Sequence, residues 1–538
     1  MSNQQKGFKP RKIEASIELP NPGLRAYFKH VLNGQPDEYR TEFYPQKTVE
    51  EILAGWASTC ETLASTWPTL LDFENDLRAK VGPMSVMKPL KDRIDDIRSY
   101  YDSILLESSP ISEEAVAATV KWFGIKGTLR PRSKGRTLDN MKLSTNSGLP
   151  YFTKRRRVVE ETKDSFAYLD GDQVKLVGIP NITQTAAVLG WRGQEGGPTS
   201  DDTKQRVVWM FPFTVNLQEL QVYQPLIELC QRFNKVPAWV GMDMVDEEIT
   251  KLFDTKGKND LIICTDFSKF DQHFNKDMQN CARTILSQMM TSNEESATWL
   301  ESTFPIKYDI PLMVQEGECF FGPHGMGSGS GGTNADETLV HRALQYEVAL
   351  THNKQLNPHS MCLGDDGILT YPGITVDDVV EAYSKHGQEM NTDKQYASTD
   401  DCVYLRRWHH NRYRVDGKCV GVYSTYRALG RLAEQERFYD GKTWSKEARA
   451  LRQLSILENV KYHPLREEFV AYCMKGDKYR LGLDIPGFLD NLPSVAKKYT
   501  DLIPDFLGYT KTMQGVNIED PSTGISSWWI VQYLKSLA

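Results

Sequence analysis

Leu363-Gly364-Asp365-Asp366-Gly367 stands between apolar, β-prone residues and reads as the tip of a strand–turn–strand hairpin. Two adjacent carboxylates at such a tip repel each other and raise each other's pKa unless a cation neutralises them. Gly and Asp are also ordinary turn residues, so the tripeptide decides nothing by itself. It decides the fold once other carboxylates join it. Asp266-Phe267-Ser268-Lys269-Phe270-Asp271 supplies them, at the end of the short apolar run Leu261-Ile262-Ile263-Cys264-Thr265. A hairpin pairing beside that strand lets Asp266 and Asp365, assisted by Asp366, hold two Mg²⁺ ions. Mg²⁺ takes few oxygen ligands from protein and completes its shell with water and phosphates. A pair of such ions activates an attacking hydroxyl and stabilises a leaving oxygen. Asp266 alone would read as a helix cap or turn residue; with Asp365 and Asp366 the metal reading prevails.

Asp271 has a different task. A carboxylate beside a nucleotide site accepts a hydrogen bond from a ribose 2′-hydroxyl, whereas a large aromatic side chain would exclude that hydroxyl. The run Gly325-Met326-Gly327-Ser328-Gly329-Ser330-Gly331-Gly332 is a flexible linker on composition alone. It is not a phosphate-binding P-loop, because no Lys-Ser or Lys-Thr closes it. As pliable backbone lying against a nucleic-acid strand it fits its position, with Ser328, Thr333 and Asn334 facing nucleotide or template.

The rest of the chain is compatible with that chemistry. At 538 residues, 25% charged and 40% hydrophobic, it has the profile of a globular protein with two or three subdomains. A net charge of −7 argues against a coat or packaging protein, and requires that positive charge be concentrated locally if nucleic acid is bound. The nine cysteines form no C-x-x-C pair and several lie in apolar runs, so buried reduced thiols in a reducing compartment are expected. No signal-peptide core and no run of about 20 apolar residues is present, which predicts a soluble protein without membrane association. Residues 45–125 read as helical, with Leu53, Trp56, Leu63 and Trp67 near helical spacing. Residues 126–212 read as extended and looping. Met278, Ala282, Ile285 and Met289 mark a helix, as do Leu339, Ala343, Tyr346 and Leu350, and a third starts near Thr375 and stops at Gly387. The order of elements suggests an α+β sheet with helices on one face.

Asp266-x4-Asp271, Ser328-Gly329-x3-Thr333 and Gly364-Asp365-Asp366 together resemble palm motifs A, B and C of viral RNA-dependent RNA polymerases. Chain length and surrounding residues are most similar to the picobirnavirus enzymes of that family, from viruses with bisegmented double-stranded RNA genomes. The resemblance is specific over about 190–415 and weaker in the flanks. It implies a right-hand fold of fingers, palm and thumb, with an antiparallel RNA-recognition-like palm and a site encircled by fingertips. The implied divisions are 1–80 bridging fingers and thumb, 81–224 fingers, 225–302 palm, 303–324 a fingers insertion, 325–416 palm, and 417–538 thumb and tail.

The resemblance also implies further roles. Ser147-Gly148-Leu149-Pro150 resembles motif G at the template entrance, flanked by Lys142 and Lys154-Arg155-Arg156-Arg157. Lys204-Gln205-Arg206, with Arg192 upstream, resembles motif F, whose basic side chains bind the incoming triphosphate. Asp393-Lys394 resembles motif D, making Lys394 a candidate general acid for pyrophosphate. Tyr404-Leu405-Arg406-Arg407 resembles motif E beside the product strand, and Gly329 joins the residues expected to contact RNA. One departure stands out: where many relatives carry Asn after the motif B threonine, this chain has Glu337 beside Asp336. Asn334, Asp336 and Glu337 are all candidate partners of Asp271. The expected partners are template and product RNA, ribonucleoside triphosphates and capsid protein, for a monomer in the virion interior and host cytoplasm, with Mn²⁺ able to replace Mg²⁺. Trp528, Trp529 and Tyr533 suit either a priming platform or core packing. The rivals are a reverse transcriptase, opposed by Asp271 and Gly364, and an inactive RNA-binding scaffold, opposed by three intact carboxylates.

Overall fold

The computed structural model describes residues 8–13, 23–499 and 524–538 and divides into two compact units. The first comprises residues up to 34, 88–191 and 207–402; the second comprises 35–87, 192–206 and 403 onward.

At the centre of the first unit a four-stranded sheet is built in chain order. Strand β1 (Ile262–Thr265) is followed by helices α1 (Lys276–Met289) and α2 (Thr333–Thr351). The hairpin β2 (Met361–Leu363) and β3 (Asp366–Leu369), helix α3 (Val376–Ser384) and edge strand β4 (Tyr396–Ser398) complete it. The spatial order is β2-β3-β1-β4 and its three pairings are antiparallel. This is the split βαβ arrangement of ferredoxin-like and RNA-recognition folds. All four residues of β1 are buried, as expected of a central strand. Helix α2 covers one face with Leu339, Val340, Leu344 and Val348, all fully buried, while Leu350 is exposed at its last turn. The apolar face expected from Leu339 to Leu350 therefore holds only for its first half. Helix α3 starts where its capping box predicts, with Thr375 Oγ1 accepting from Asp378 N–H and the Asp378 carboxylate accepting from Thr375 N–H.

Residues 126–212, expected as extended and looping, contain five strands. Phe166–Asp170 and Gln173–Val177 form a hairpin whose second strand alternates buried and partly exposed residues, a pattern of period two that short strands between Gly and Pro conceal. Helix Phe213–Arg232 follows and buries an unusual set of polar side chains, including Asn216, Gln218 and Glu219.

The second unit is mainly helical. Trp56, Leu429, Leu451, Phe469 and Ile530 are among the residues of one continuous core. At its centre the fully buried Glu74 carboxylate accepts hydrogen bonds from Thr425 N–H (2.8 Å), Tyr426 N–H (3.2 Å), the Ser424 and Thr425 hydroxyls, and His463 Nε2 (2.9 Å). A carboxylate thus meets the positive end of helix Thr425–Ala433. Trp528, Trp529 and Tyr533 pack against the same core, which favours the packing role weighed for them. All nine cysteines are buried and none is in a disulfide, as expected. Among the described residues no helix is long and apolar enough to cross a membrane.

Candidate active site

The hairpin joining β2 to β3 turns over two residues, Gly364 and Asp365, because Leu363 pairs with Asp366. Gly364 has φ of +57° at the first central position, where the turn that matches strand twist favours glycine. Asp365 therefore occupies the exposed tip. On the other side of β3, Gly367 pairs with Thr265, which sets Asp366 opposite Asp266 one step beyond the paired residues. The three carboxylates come from facing ends of two central strands. Asp266 is held by its main chain: Gln395 Nε2 donates to its carbonyl and Gln395 Oε1 accepts from its N–H, both at 2.8 Å. Exposed Lys394 immediately precedes this clamp.

The hairpin rests on α2. Gly364 N–H donates to Thr338 Oγ1 at 2.9 Å and its carbonyl lies 2.8 Å from His341 Nδ1. Burial lowers the pKa of His341 to about 4, so the ring is neutral and its Nδ1–H donates to that carbonyl. A Cβ placed on Gly364 would stand 3.4 Å from Glu337 Oε2 and 3.5 Å from Asn334 Nδ2. Of the three candidate partners of Asp271, Glu337 is the one whose buried carboxyl feels its charge. Burial, then the charge of Asp271, push the Glu337 carboxyl well above the usual carboxylate range. Asp336 is instead committed to Tyr223 (2.7 Å), Tyr308 (2.6 Å) and Lys307 (3.0 Å), all buried. Asn334 Oδ1 accepts from Trp239 Nε1 at 2.9 Å.

The glycine-rich run is anchored rather than loose. Met326 N–H donates to the Asp271 carbonyl (2.9 Å), and Thr333 Oγ1 donates to the Gly327 carbonyl (3.0 Å). Ser328 Oγ donates to Val207 O at 3.3 Å. Gly329 lies so close to the Trp209 carbonyl that an added Cβ would fall 1.6 Å from its oxygen. Ser147 and Gly148 belong to the same unit: Phe213 N–H donates to Ser147 O at 2.8 Å, and Gly148 packs on the Phe211 carbonyl. The Leu149–Pro150 bond is cis. Of the basic run that follows, Lys154, Arg156 and Arg157 are exposed, but Arg155 is turned inward and burial lowers its pKa to about 10. Its inward turn removes it from the set of surface charges.

The remaining expected residues lie in the second unit. Arg192, Lys204 and Arg206 are exposed. Leu405 and Arg406 form a hairpin tip with φ of +52° and +59°, a left-handed conformation costly to non-glycine residues. Arg406, though its side chain reaches solvent, has its pKa lowered to about 10, by burial first and then by Arg427, with Arg206 and Arg431 adding to the effect. Glu195 opposes them. Burial pushes its carboxyl up, but Arg431 and Arg427 outweigh burial and hold it below its ordinary value, with Arg427 Nη1 3.1 Å from Glu195 Oε1. Arg407 donates to Asn459 Oδ1 at 3.1 Å. Arg427 and Arg431, one helical turn apart, were not singled out in the sequence, where they look like the solvated face of an ordinary helix.

The donor set suits a hard divalent cation. Carboxylate oxygens at an open strand end are what Mg²⁺ and Mn²⁺ accept. Among the described residues no three His, Cys, Asp or Glu side chains close around one point, and ions of this kind need only one or two protein carboxylates.

Carboxylates on facing ends of central strands, a sheet of this order and a glycine loop entering the covering helix define a right-hand nucleic-acid polymerase. The chain belongs to the viral RNA-dependent RNA polymerase family, whose model matches residues 113–419. It is 58% identical, over 97% of its length and 98% of the relative's, to a potential RNA-dependent RNA polymerase of human picobirnavirus (strain Human/Thailand/Hy005102/-). The crystal structure of the RNA-dependent RNA polymerase of a human picobirnavirus superposes with a TM-score of 0.93 at 55% identity, covering 98% of this chain and all of that one. An insertion-loop deletion mutant of such a polymerase gives 0.91 at 54% identity, with the same coverage. The protein is thus an RNA-directed nucleotidyltransferase that takes an RNA template and nucleotide substrates, of a double-stranded RNA virus family.

Proposed function

We propose that Asp266 and Asp365, assisted by Asp366, hold two divalent cations, Mg²⁺ with Mn²⁺ as a substitute. The observation that carries this is the register placing Asp366 opposite Asp266 with Asp365 at the adjoining tip. When bound, the ions would activate the primer 3′-hydroxyl and offset charge on the leaving group. The 3′-oxygen bonds to the α-phosphorus of the nucleotide as the α–β phosphoanhydride breaks. Lys394, beside the Gln395 clamp, donates a proton to the departing pyrophosphate. Asp271 accepts the ribose 2′-hydroxyl, its geometry set by the Glu337 carboxyl; Ser328, Thr333 and Asn334 orient nucleotide and template.

Arg192, Lys204 and Arg206 bind triphosphate oxygens, and the guanidinium cluster around Glu195 supports an anion-binding role for that region. Ser147, Gly148, Pro150 and Gly329 line the template path, and Arg406 and Arg407 border product RNA. Recognition is of backbone and A-form shape, so binding weakens with salt. In this reading residues 1–80 bridge fingers and thumb, 81–224 and 303–324 form fingers, 225–302 and 325–416 palm, and 417–538 thumb and tail. The enzyme acts as a monomer, with capsid protein as a partner, in the virion interior and host cytoplasm.

The test is incubation of purified protein with single-stranded RNA, labelled ribonucleotides and Mg²⁺, beside Asp365→Ala. Template-length product from the parent alone is expected. Equal product from both proteins would refute the metal role of Asp365.

A further inference from the structure

Beneath the glycine-rich run lies a line of buried polar groups that catalysis as described leaves unused. Glu219, fully buried, accepts the Gly331 N–H at Oε1 (3.1 Å) and the Ser330 hydroxyl at Oε2. With the Asn216 amide oriented to satisfy both neighbours, its nitrogen donates to Glu219 Oε1 at 3.0 Å and its oxygen accepts from Arg155 Nη2 at 2.7 Å. Arg155 then ties down the loop on the far side. Its Nη1 donates to Lys142 O (3.0 Å), its N–H donates to Thr145 O (2.9 Å), and its guanidinium lies 5.5 Å from the Phe213 ring centroid. The same loop is closed by Ser147 N–H donating to Thr153 O at 2.7 Å.

A buried carboxylate and a buried guanidinium separated by an amide are an expensive way to fill space, since apolar side chains of like volume stabilise a fold as well or better. Hydrogen-bonded chains of this kind instead favour one geometry. The two ends here are the loop 145–155 and the turn Ser330–Gly331, which continues directly into Thr333 and Asn334. Helix Phe213–Arg232 is the common support of both.

We propose that Glu219 is a positioning residue that, through Asn216 and Arg155, couples the loop 145–155 to the glycine-rich turn, so that the seating of template at one sets the shape of the nucleotide site at the other. This rests on the reading of Ser147 to Pro150 as the template entrance.

The test is steady-state kinetics on a primed RNA template. Glu219→Gln, which puts an amide nitrogen in place of one accepting oxygen, is expected to raise KM for nucleotide about tenfold with kcat within about twofold. Arg155→Met should raise the same KM severalfold despite lying on the other loop. The double variant Arg155→Met/Ser330→Ala should be no worse than its worse single, as for residues acting in one chain. Multiplying effects of Arg155 and Ser330 would overturn the proposal. So would a fall in thermal midpoint with unchanged KM values, the signature of a merely structural group. If Glu219→Gln fails to fold, the Arg155–Ser330 cycle decides by itself. Lys154→Ala/Arg156→Ala separates the two readings: unchanged RNA binding removes the template-entrance assignment, whereas the cycle reports the coupling.

Discussion

His341 is neutral because burial lowers it to about 4. An unfolded chain titrates its histidines near pH 6.5, so on acidification it binds protons before the folded state does. The contribution of His341 is full above about pH 6.5 and is lost as pH falls towards 4, at about 3 kcal/mol. Denaturant titrations from pH 7 to 4.5 should show this slope, and His341→Asn, which keeps a donor for Gly364, should flatten it. At the neighbouring Glu337, burial and the charge of Asp271 raise the carboxyl well above its ordinary range. Glu337→Gln offers a donor to Asp271 and should keep selection of ribonucleotides over deoxyribonucleotides within about threefold, whereas Glu337→Ala should relax it at least about tenfold. Competitive incorporation of the two nucleotide types measures both. The sequence exposed Glu337 as a departure but left three residues open. Only packing separates them, because Asp336 is consumed by Lys307 and two tyrosines.

At the scale of elements, β1, the Gly-Asp-Asp hairpin and α3 were legible from apolar runs, turn residues and the start signal near Thr375. The strands of 166–210 were not, because each is short and its partner distant or interrupted by Gly and Pro. The glycine-rich run shows the limit of composition. Glycine count suggests slack, but here it permits contact: Gly329 presses on the Trp209 carbonyl. Gly329→Ala must displace that backbone, and we expect loss of nearly all polymerase activity with a thermal midpoint lower by several degrees. A melting curve beside a primer-extension assay checks it; wild-type values in both would mean the contact yields freely. Arg155 makes the converse point. Within a run of four basic residues, sequence offers no means to tell which one turns inward.

Across the whole molecule the division into two units, each with its own core, was visible only as length. Helical spacing at Leu53, Trp56 and Leu63 anticipated that they would be buried, but not that they would share a core with residues beyond 400. Glu74 was invisible as a core residue, since a lone glutamate in a helical stretch reads as surface. Glu74→Ala leaves two main-chain donors, two hydroxyls and His463 without their acceptor, and should cost about 3–5 kcal/mol in equilibrium unfolding, with Glu74→Gln intermediate. A cost below about 1 kcal/mol would show that water replaces the carboxylate.

The nine enclosed thiols have a practical corollary. Cys60, Cys230, Cys281 and Cys362 are each driven to about 12 by burial, so almost none is thiolate at neutral pH. The native enzyme should take up less than about one maleimide per chain in an hour, and all nine once unfolded. Lys154→Cys would then accept a fluorophore without any other cysteine being removed. A protein whose thiols are all enclosed thereby arrives silent to thiol dyes, ready for a single reporter at the loop where template is proposed to enter.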